Sequence, residues 1–487
     1  MKRAAAGFLK NVSYSVAANL ISTGVSVLLV AIVPKLLGVE QYGYWQLYVF
    51  YSGYIGFFHL GWADGVYLRY GGNRYEDLPK PLMRSQFRLL ALFETLLMAG
   101  LAAAVLLSSG AADKKAVLAL TAACGLLMLP RTLLQYLLQS TGRIREYARN
   151  VVAEKLVYGA LVAAFLLAGQ RSYPSLLAAD LAAKGVALVL MAVSCRDVVL
   201  GRMAAWTEGL REALRNVGAG IQLMFANVAG LLIVGIVRFA IERSWDVPTF
   251  GRVSLTLSVS NLLMLFITAV STVLFPLLKR IPEERRTAGY VLIRTSLFVP
   301  ASGLLLLCWP VGALLSLWLP QYAASLAYLP LLFPIVLYEG KMSLIVNTYM
   351  KAMRMERTLL LVNLATVGAS LLATGLSAFL LHDLTLAVGS IVLLLAFRCV
   401  LAETVLARRL GLRLGADLAA EQVLTAVFIL SGLLLGGWAG VAAYAAVYAA
   451  YLAWKRPALR DAVRSLAAQV RNVSAPAAPT EPGPSAD

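Results

Sequence analysis

The sequence has few charged residues and no long hydrophilic segment. Charged residues make up 14% of its 487 positions and hydrophobic residues 60%. This composition is too apolar for a soluble domain of this size. The sequence also lacks the G-x-x-x-x-G-K-[ST] motif of phosphate-binding loops, which excludes ATP hydrolysis by such a loop within the chain.

Cysteine and histidine are also scarce. The two histidines, His59 and His382, are far apart in sequence and have no metal-ligand companions, which argues against a zinc site. The four cysteines stand singly in apolar segments without a C-x-x-C spacing, so we expect packing roles and no disulfide, metal or cofactor. They are Cys124, Cys195, Cys308 and Cys399.

Long apolar runs make up most of the sequence. Fourteen stretches have about the length that a helix needs to cross a ~30 Å hydrocarbon core. The last run, residues 421–454, would be about 50 Å long as one helix, so we divide it at Gly436-Gly437 into two spans. The other predicted spans are 13–38, 41–66, 87–109, 116–139, 148–169, 174–195, 216–240, 248–277, 289–317, 322–350, 357–380 and 383–405.

The positive charge follows these runs in alternation. Thirty of the 43 Lys and Arg residues lie at the two termini and in every second gap, whereas the intervening gaps hold six. Cytoplasmic loops retain Lys and Arg, so both termini are predicted to be cytoplasmic in a bacterial inner membrane. The net charge of +18 is therefore ascribed to topology and to contact with membrane lipids, with no role for nucleic acid.

The spans predict an all-α integral membrane protein with two six-helix lobes. We expect an N-terminal lobe over 1–195, an amphipathic cytoplasmic linker over 196–215 with Trp206 at headgroup depth, and a C-terminal lobe over 216–405. Two extra transmembrane helices follow over 406–454. The Pro- and Ala-rich end suggests a cytoplasmic disordered tail over 455–487.

The two predicted lobes resemble each other in sequence. Three matches occur in the same order at offsets of 205, 208 and 211 residues. They pair Asn11-Val12 with Asn216-Val217, "YGYWQL" from Tyr42 with "FGRVSL" from Phe250, and Arg143 with Arg354. Such parallel repeats are typical of transporters in which two bundles rock around a central cavity.

The segment "PKLLGVEQYGYWQLYVFYSGYIGFFHLGWADGVYLRY" resembles the opening of the Wzx-type polysaccharide flippases. In that family a first helix ends in L-G-x-x-x-Y-G, and a second ends in a D-L-G-like turn followed by an Arg. This chain has His59 where the family tends to have Asp, and its acid, Asp64, comes later. The matching residues are Leu37, Gly38, Tyr42, Gly43, Leu60, Gly61 and Arg69. "LLQSTGRIREYARN" is similar to the family's fourth-to-fifth connection.

The resemblance implies the fold of the multidrug/oligosaccharidyl-lipid/polysaccharide exporter superfamily, with a V-shaped central cavity and alternating access. It implies a cargo of undecaprenyl-diphosphate-linked oligosaccharide, moved from the inner to the outer leaflet, and polysaccharide polymerase or export partners. A drug or cation antiporter and a lipid II flippase are the alternatives. Lipid II flippases usually carry dense charge early in span one, which here is uncharged from Val12 to Val33.

Charges within the spans are candidate site residues, because a charge at bilayer depth costs at least a few kcal/mol on insertion scales. A lipid diphosphate needs cations in a cavity, since a polyanion cannot cross hydrocarbon unpaired. Arg238 and Arg252 border the outer seven-to-eight hairpin, where they could form an outward-side pair. The predicted substrate-binding cations are Arg131, Lys184, Lys341, Arg238 and Arg252.

Four acids are candidates for ion coupling or for pairing: Asp180, Glu339, Glu94 and Asp64. Asp180 and Lys184 are four residues apart on one helical face and could form a local ion pair instead of binding cargo. Glu339 and Lys341 point apart, and Glu94 is expected to pair with a neighbouring Arg. Four further charges are expected to extend from inner helix ends to the interface. These are Arg294, Arg398, Glu403 and Lys155.

A membrane enzyme such as a polysaccharide polymerase or ligase is the remaining class. Such an enzyme needs an extracytoplasmic surface for glycan chemistry, usually a long outer loop. The longest predicted outer segment, around Glu242 to Val247, is under ten residues. The sequence therefore favours a transporter over an enzyme.

Overall fold

The computed structural model describes residues 2–262, 264 and 286–474, and every regular element in these ranges is a helix. Eleven helices or runs of consecutive helical segments in these ranges are long and apolar enough to cross a membrane. The protein is therefore an all-α, multi-pass membrane protein. Of the other three predicted spans, 41–66 is divided between two shorter helices, 437–454 belongs to a more polar helix, and 248–277 lies partly outside the described residues. The count of fourteen, like the cytoplasmic termini, stays a prediction.

In the described residues, the predicted N-terminal lobe contains seven α-helices and a 3₁₀ turn at Tyr75–Asp77. Prolines lie in the first turns of the helices that begin at Lys80 and Tyr173, where no intrahelical N–H bond is lost. The helices are α1 (Lys2–Leu36), α2 (Val39–Ile55), α3 (Trp62–Tyr70), α4 (Lys80–Leu107), α5 (Ala112–Ser140), α6 (Ile144–Leu167) and α7 (Tyr173–Ser194).

The predicted second span, 41–66, is divided between α2 and α3. The chain turns between them with positive φ at Leu60 (52°) and at Gly61 (79°). The backbone N–H of Gly61 donates to Nδ1 of His59 over 3.1 Å, which stabilises this turn. Gly61 adopts this conformation without the steric cost that Leu60 carries.

The predicted linker begins with a short helix, α8 (Arg196–Val199), and its second half belongs to a long helix, α9 (Trp206–Ser244). α9 runs through the predicted boundary at residue 216 into the seventh span. The next helix, α10 (Val247–Leu262), covers the start of the eighth predicted span, 248–277; of the rest, only residue 264 is described.

The C-terminal lobe continues in several short segments. A 3₁₀ turn at Ser302–Leu307 and a π-helical turn at Met342–Val346 interrupt its longer runs. Its helices are α11 (Arg286–Ala301), α12 (Cys308–Trp318), α13 (Ala323–Leu326), α14 (Leu329–Leu332), α15 (Ile335–Lys341), α16 (Asn347–Ala352), α17 (Glu356–Thr374) and α18 (Leu384–Arg409).

Two further helices end the described chain. They are α19 (Gly415–Leu430), extended by a π-helical turn to Leu435, and α20 (Gly437–Ser474). The chain changes direction at Gly436 and Gly437, whose φ angles are 59° and 42°. The prediction of a disordered tail from residue 455 is wrong for 455–474, because α20 continues through Pro457 to Ser474. Residues 475–487 lie outside the described ranges.

In the described residues, the predicted lobes approach each other closely at both predicted membrane faces. At the predicted outer end, α2 meets α10, where a β-carbon on Gly251 would lie 2.7 Å from the Cα atom of Gly43. Gln321 adds a hydrogen bond to the carbonyl oxygen of Pro34 over 2.6 Å. At the predicted cytoplasmic end, α3 meets α9, where Arg69 lies 2.6 Å from the carboxylate of Glu212. Two glycines of the resemblance motif, Gly43 and Gly61, thus lie at lobe crossings.

An ion network fixes the last two helices to the C-terminal lobe. Nε of Arg294 lies 2.5 Å from Glu403, and Nζ of Lys341 lies 2.7 Å from the other oxygen of that carboxylate. Glu421 contacts both cations, and Asp417 joins Arg294 to a sixth member at the start of the predicted tail. The six members are Arg294, Lys341, Lys455, Glu403, Glu421 and Asp417. Three positive and three negative charges balance each other.

The expectation that Arg294, Arg398 and Glu403 extend to the interface is wrong. Arg294 is 2% exposed, Arg398 7% and Glu403 0%. Each of them is paired with charged groups on other helices. Because burial of an unpaired charge is costly, pairing across helices replaces contact with the interface. Lys155 is half-buried.

Candidate functional site

A cavity of about 890 Å³ lies between the predicted lobes, mainly against the C-terminal one. This falls within the usual range for ligand cavities, roughly 300–1,000 Å³. α9 forms one wall from Ala219 to Arg238, a length of about 28 Å at 1.5 Å per residue. The cavity is thus long enough to follow much of the membrane's thickness.

Charged residues line this cavity at two levels. Lys351, Glu356 and Arg357 are exposed and lie at the predicted cytoplasmic end. Arg238, near the other end of α9, and the pair Glu339–Arg398 lie deeper. The described lining therefore contains four cations and two carboxylates, an arrangement that favours anions.

Arg238 is the deep cation without a carboxylate partner in the described residues. Its Nη2 donates to the hydroxyl of Ser254 over 2.9 Å. The guanidinium carbon lies 4.7 Å from the ring centre of Phe50 and 5.2 Å from that of Phe250. These rings and the hydroxyl hold the side chain in place but leave its charge uncompensated.

Arg398 is held differently. Its Nε donates to Oδ1 of Asn363 over 2.9 Å, and its Nη1 donates to Oε1 of Glu339 over 3.1 Å. The Glu339 side chain is 32% exposed, whereas that of Arg398 is 9% exposed. The carboxylate thus faces the cavity and neutralises an arginine buried in its wall.

Carboxamide groups provide most of the remaining polarity of the lining. The cavity contains Gln222, Asn227, Asn261, Asn347 and Asn363. An amide offers both donors and an acceptor, the groups that bind hydroxyls. The amide of Asn363 is already bonded to Arg398 and to the carbonyl oxygen of Ala226, which leaves the other four for this role. The lining is thus suited to a polyhydroxylated group beside an anionic one.

The structure places the other predicted cations away from this cavity. Nη1 of Arg131 lies 2.6 Å from the carboxylate of Glu154. Lys184 is paired with Asp180, as the four-residue spacing suggested, and Tyr48 donates to the same carboxylate over 2.5 Å. Lys341 belongs to the C-terminal ion network, and Arg252 does not line the cavity.

The four predicted acids lie in different environments. Only Glu339 lines the cavity, and Asp180 is paired as described. The expectation that Glu94 pairs with an arginine is wrong: its side chain is 0% exposed, and neither oxygen has a hydrogen-bond partner in the described residues. Asp64 lies 3.7 Å from Nε2 of His59, and both side chains are buried.

The sequence interpretation missed Arg398 as a cavity residue. It lies in the inner half of its helix, and hydropathy along one helix does not reveal its two partners on others. Its position within the apolar stretch of α18, like that of the candidate cations, was the available signal. The described residues contain no cluster of three or more His, Cys, Asp or Glu side chains that could hold a metal.

No protein-family model matches the sequence, and no curated protein matches it. Solved structures do match the fold. A multidrug-resistance MATE family transporter of the MOP superfamily, solved in an inward-facing conformation, is 11% identical, covers 81% of this chain and 98% of its own, and has a TM-score of 0.59. A MATE structure in the straight conformation is 12% identical, covers 81% and 93%, and has a TM-score of 0.50. The chain therefore has the fold of the MATE transporters of the MOP superfamily.

Proposed function

We propose that the protein is a flippase that moves undecaprenyl-diphosphate-linked oligosaccharide from the inner to the outer leaflet of the bacterial inner membrane. Arg238 is the observation that carries this proposal. It is a deep cavity cation, and its described contacts are a hydroxyl and two aromatic rings. A fixed positive charge in a low-dielectric wall attracts a phosphate and repels a cationic drug.

The rest of the lining supports an amphipathic cargo with a glycan. Carboxamides such as Gln222 and Asn227 are exposed on the cavity face of α9. They can bind sugar hydroxyls as donors and acceptors without requiring charge. A lipid-linked oligosaccharide has both the anion that Arg238 would bind and the hydroxyls that these amides would bind.

Alternating access is the proposed mechanism. The matching MATE transporter was solved in an inward-facing conformation. Here the exposed Lys351 and Arg357 lie at the predicted cytoplasmic end of the cavity, and Gly43 and Gly251 are in close contact at the predicted outer end. We assign the structure to the state that receives cargo from the inner leaflet.

Deletion of the gene in a strain that makes a surface glycan tests this proposal. The lipid-linked unit should accumulate in the inner leaflet, and the wild-type gene should restore export. Arg238→Gln should restore export poorly, whereas Gly218→Ala, at an open position on the same helix, should restore it fully. Normal surface polymer after deletion, in a strain without a second flippase, would contradict the proposal.

A cationic-drug antiporter is the second candidate. Glu94 favours it, because a buried carboxylate without a described partner is a candidate proton or Na⁺ site in the N-terminal lobe. Resistance to cationic dyes on expression, abolished by Glu94→Gln and unaffected by Arg238→Gln, would support the antiporter over the flippase. A flipping assay that supplies lipid II in place of the oligosaccharide lipid would distinguish between these two cargoes.

A further inference from the structure

Within the described residues, Arg398 uses two of its three side-chain nitrogens for hydrogen bonds to the protein. Nε is bonded to Asn363, which fixes the plane of the guanidinium, and Nη1 is bonded to Glu339. Of these two partners, only Glu339 carries a charge that a cargo anion could replace. Its side chain is one-third exposed to the cavity, so it can leave Arg398 and become solvated there.

The third nitrogen, Nη2, faces α9 at Gly230. A β-carbon on Gly230 would lie 3.4 Å from this nitrogen and 3.7 Å from the amide nitrogen of Asn363. Gly230 itself lines the cavity. The missing side chain therefore leaves the space of about one methyl group beside Nη2, where a single phosphate oxygen can approach the guanidinium from the cavity.

We propose that Arg398 is a second anion-binding residue of the cavity, that Glu339 occupies it as an internal counter-ion when the cavity is empty, and that the diphosphate of the cargo displaces Glu339. This inference rests on the proposed function. The guanidinium offers two parallel N–H donors to phosphate oxygens, a geometry that a lysine cannot provide.

The spacing along α9 makes Arg398 and Arg238 successive positions. Arg398 reaches α9 at Gly230, eight residues before Arg238, a separation of about 12 Å along the helix axis. A diphosphate is shorter than that distance. It would therefore be bound first at Arg398, nearer the predicted cytoplasmic end, and then at Arg238.

Binding of farnesyl diphosphate, a soluble prenyl diphosphate, to the purified full-length protein tests this assignment by calorimetry. Glu339→Gln should bind the probe about tenfold more tightly than the wild type, because the competing carboxylate is gone. Glu356→Gln is the matched control, since it removes the same charge from the cavity's exposed end. It should stay within about twofold of the wild type, because that charge is solvent-screened.

The proposal requires that the higher affinity of Glu339→Gln depends on Arg398. Arg398→Gln should bind the probe more weakly than the wild type, and the double variant with Glu339→Gln should bind no better than Arg398→Gln alone. Gly230→Val in the Glu339→Gln background should also remove the gain, because its side chain fills the space beside Nη2. It leaves every charge in place, so it keeps the test decisive if an Arg398 variant fails to fold.

The inference is overturned if Glu339→Gln binds no more tightly than Glu356→Gln, if the double variant keeps the gain, or if neither the wild type nor Glu339→Gln binds the probe. Failure of the proposed function has a different signature. A protein that flips no glycan lipid but shows the Arg398-dependent gain overturns the flippase proposal alone. A protein that flips the lipid without the gain overturns the assignment of Arg398 alone.

Discussion

The carbonyl oxygen of Gly61 lies 2.0 Å from the position that a β-carbon on Gly220 would occupy. The two glycines bring α3 into backbone contact with α9 at the predicted cytoplasmic end of the lobe interface. A second contact repeats this geometry, because a β-carbon on Gly65 would lie 1.8 Å from the carbonyl oxygen of Asn216. Neither atom that blocks these positions is a flexible side chain, so the helices themselves would have to separate.

Gly220→Ala should therefore destabilise the protein. The clash with backbone should cost about 1–3 kcal/mol, the usual range for overpacking. Gly218→Ala is the matched control two residues earlier, where a β-carbon meets nothing within 4 Å. Thermal unfolding of the purified variants should show a lower midpoint for Gly220→Ala and an unchanged or higher one for Gly218→Ala. Equal midpoints would contradict the close crossing.

The C-terminal ion network should respond unequally to loss of its members. Glu403 is fully buried between Arg294 and Lys341, so Glu403→Gln leaves two cations short of their partner and should cost about 3–5 kcal/mol. Lys455 and Asp417 are partly exposed, and Lys455→Met should cost about 1 kcal/mol or less. Chemical denaturation of both variants measures the loss of unfolding free energy. A larger loss for Lys455→Met than for Glu403→Gln would contradict this prediction.

Two buried glutamates of the N-terminal lobe should show opposite effects. Glu94 has no hydrogen-bond partner in the described residues, so Glu94→Met should stabilise the protein by about 1–3 kcal/mol. Glu154 is paired with Arg131, and Glu154→Met leaves that arginine uncompensated, at a cost of about 3–5 kcal/mol. Unfolding midpoints that shift in the same direction would show that the pairing differs from the one described.

Hydropathy predicted the helical character of the chain well, because a membrane span needs only a long apolar run. It also located the division at Gly436-Gly437, where two adjacent glycines adopt positive φ. It placed the end of the last helix too early. The charged segment after Trp454 predicts a tail, whereas α20 continues to Ser474.

The candidate site was harder to predict, because it depends on which helices face each other. Depth in the apolar runs points to Arg131, Lys184 and Lys341, yet each of them has a carboxylate partner. The sequence predicts that Arg398 extends to the interface, whereas it lies in the cavity wall. The outer-side position of Arg238 stays a prediction, and the absence of a described acid beside it can be seen only in three dimensions.

The structure shows what several residues of the resemblance motif contact. The resemblance places its glycines at the ends of the first two helices. Gly43 and Gly61 instead lie where the two lobes touch, and the motif's Arg69 contacts Glu212 and Asn216 across that interface. The sequence alone could not reveal these contacts, since the contacted segments lie about 150 to 200 residues away.

The most direct test of the account measures flipping in proteoliposomes that contain undecaprenyl-diphosphate-linked oligosaccharide, with a membrane-impermeant lectin reporting the exposed glycan. The wild type should expose the glycan, and Arg238→Gln should slow this at least about tenfold, a loss of 1.4 kcal/mol or more. Arg238→Lys should slow it less, because the charge is kept. No exposure by the wild type, or exposure at an equal rate by Arg238→Gln, would contradict the claim that this cavity carries an anionic glycan lipid.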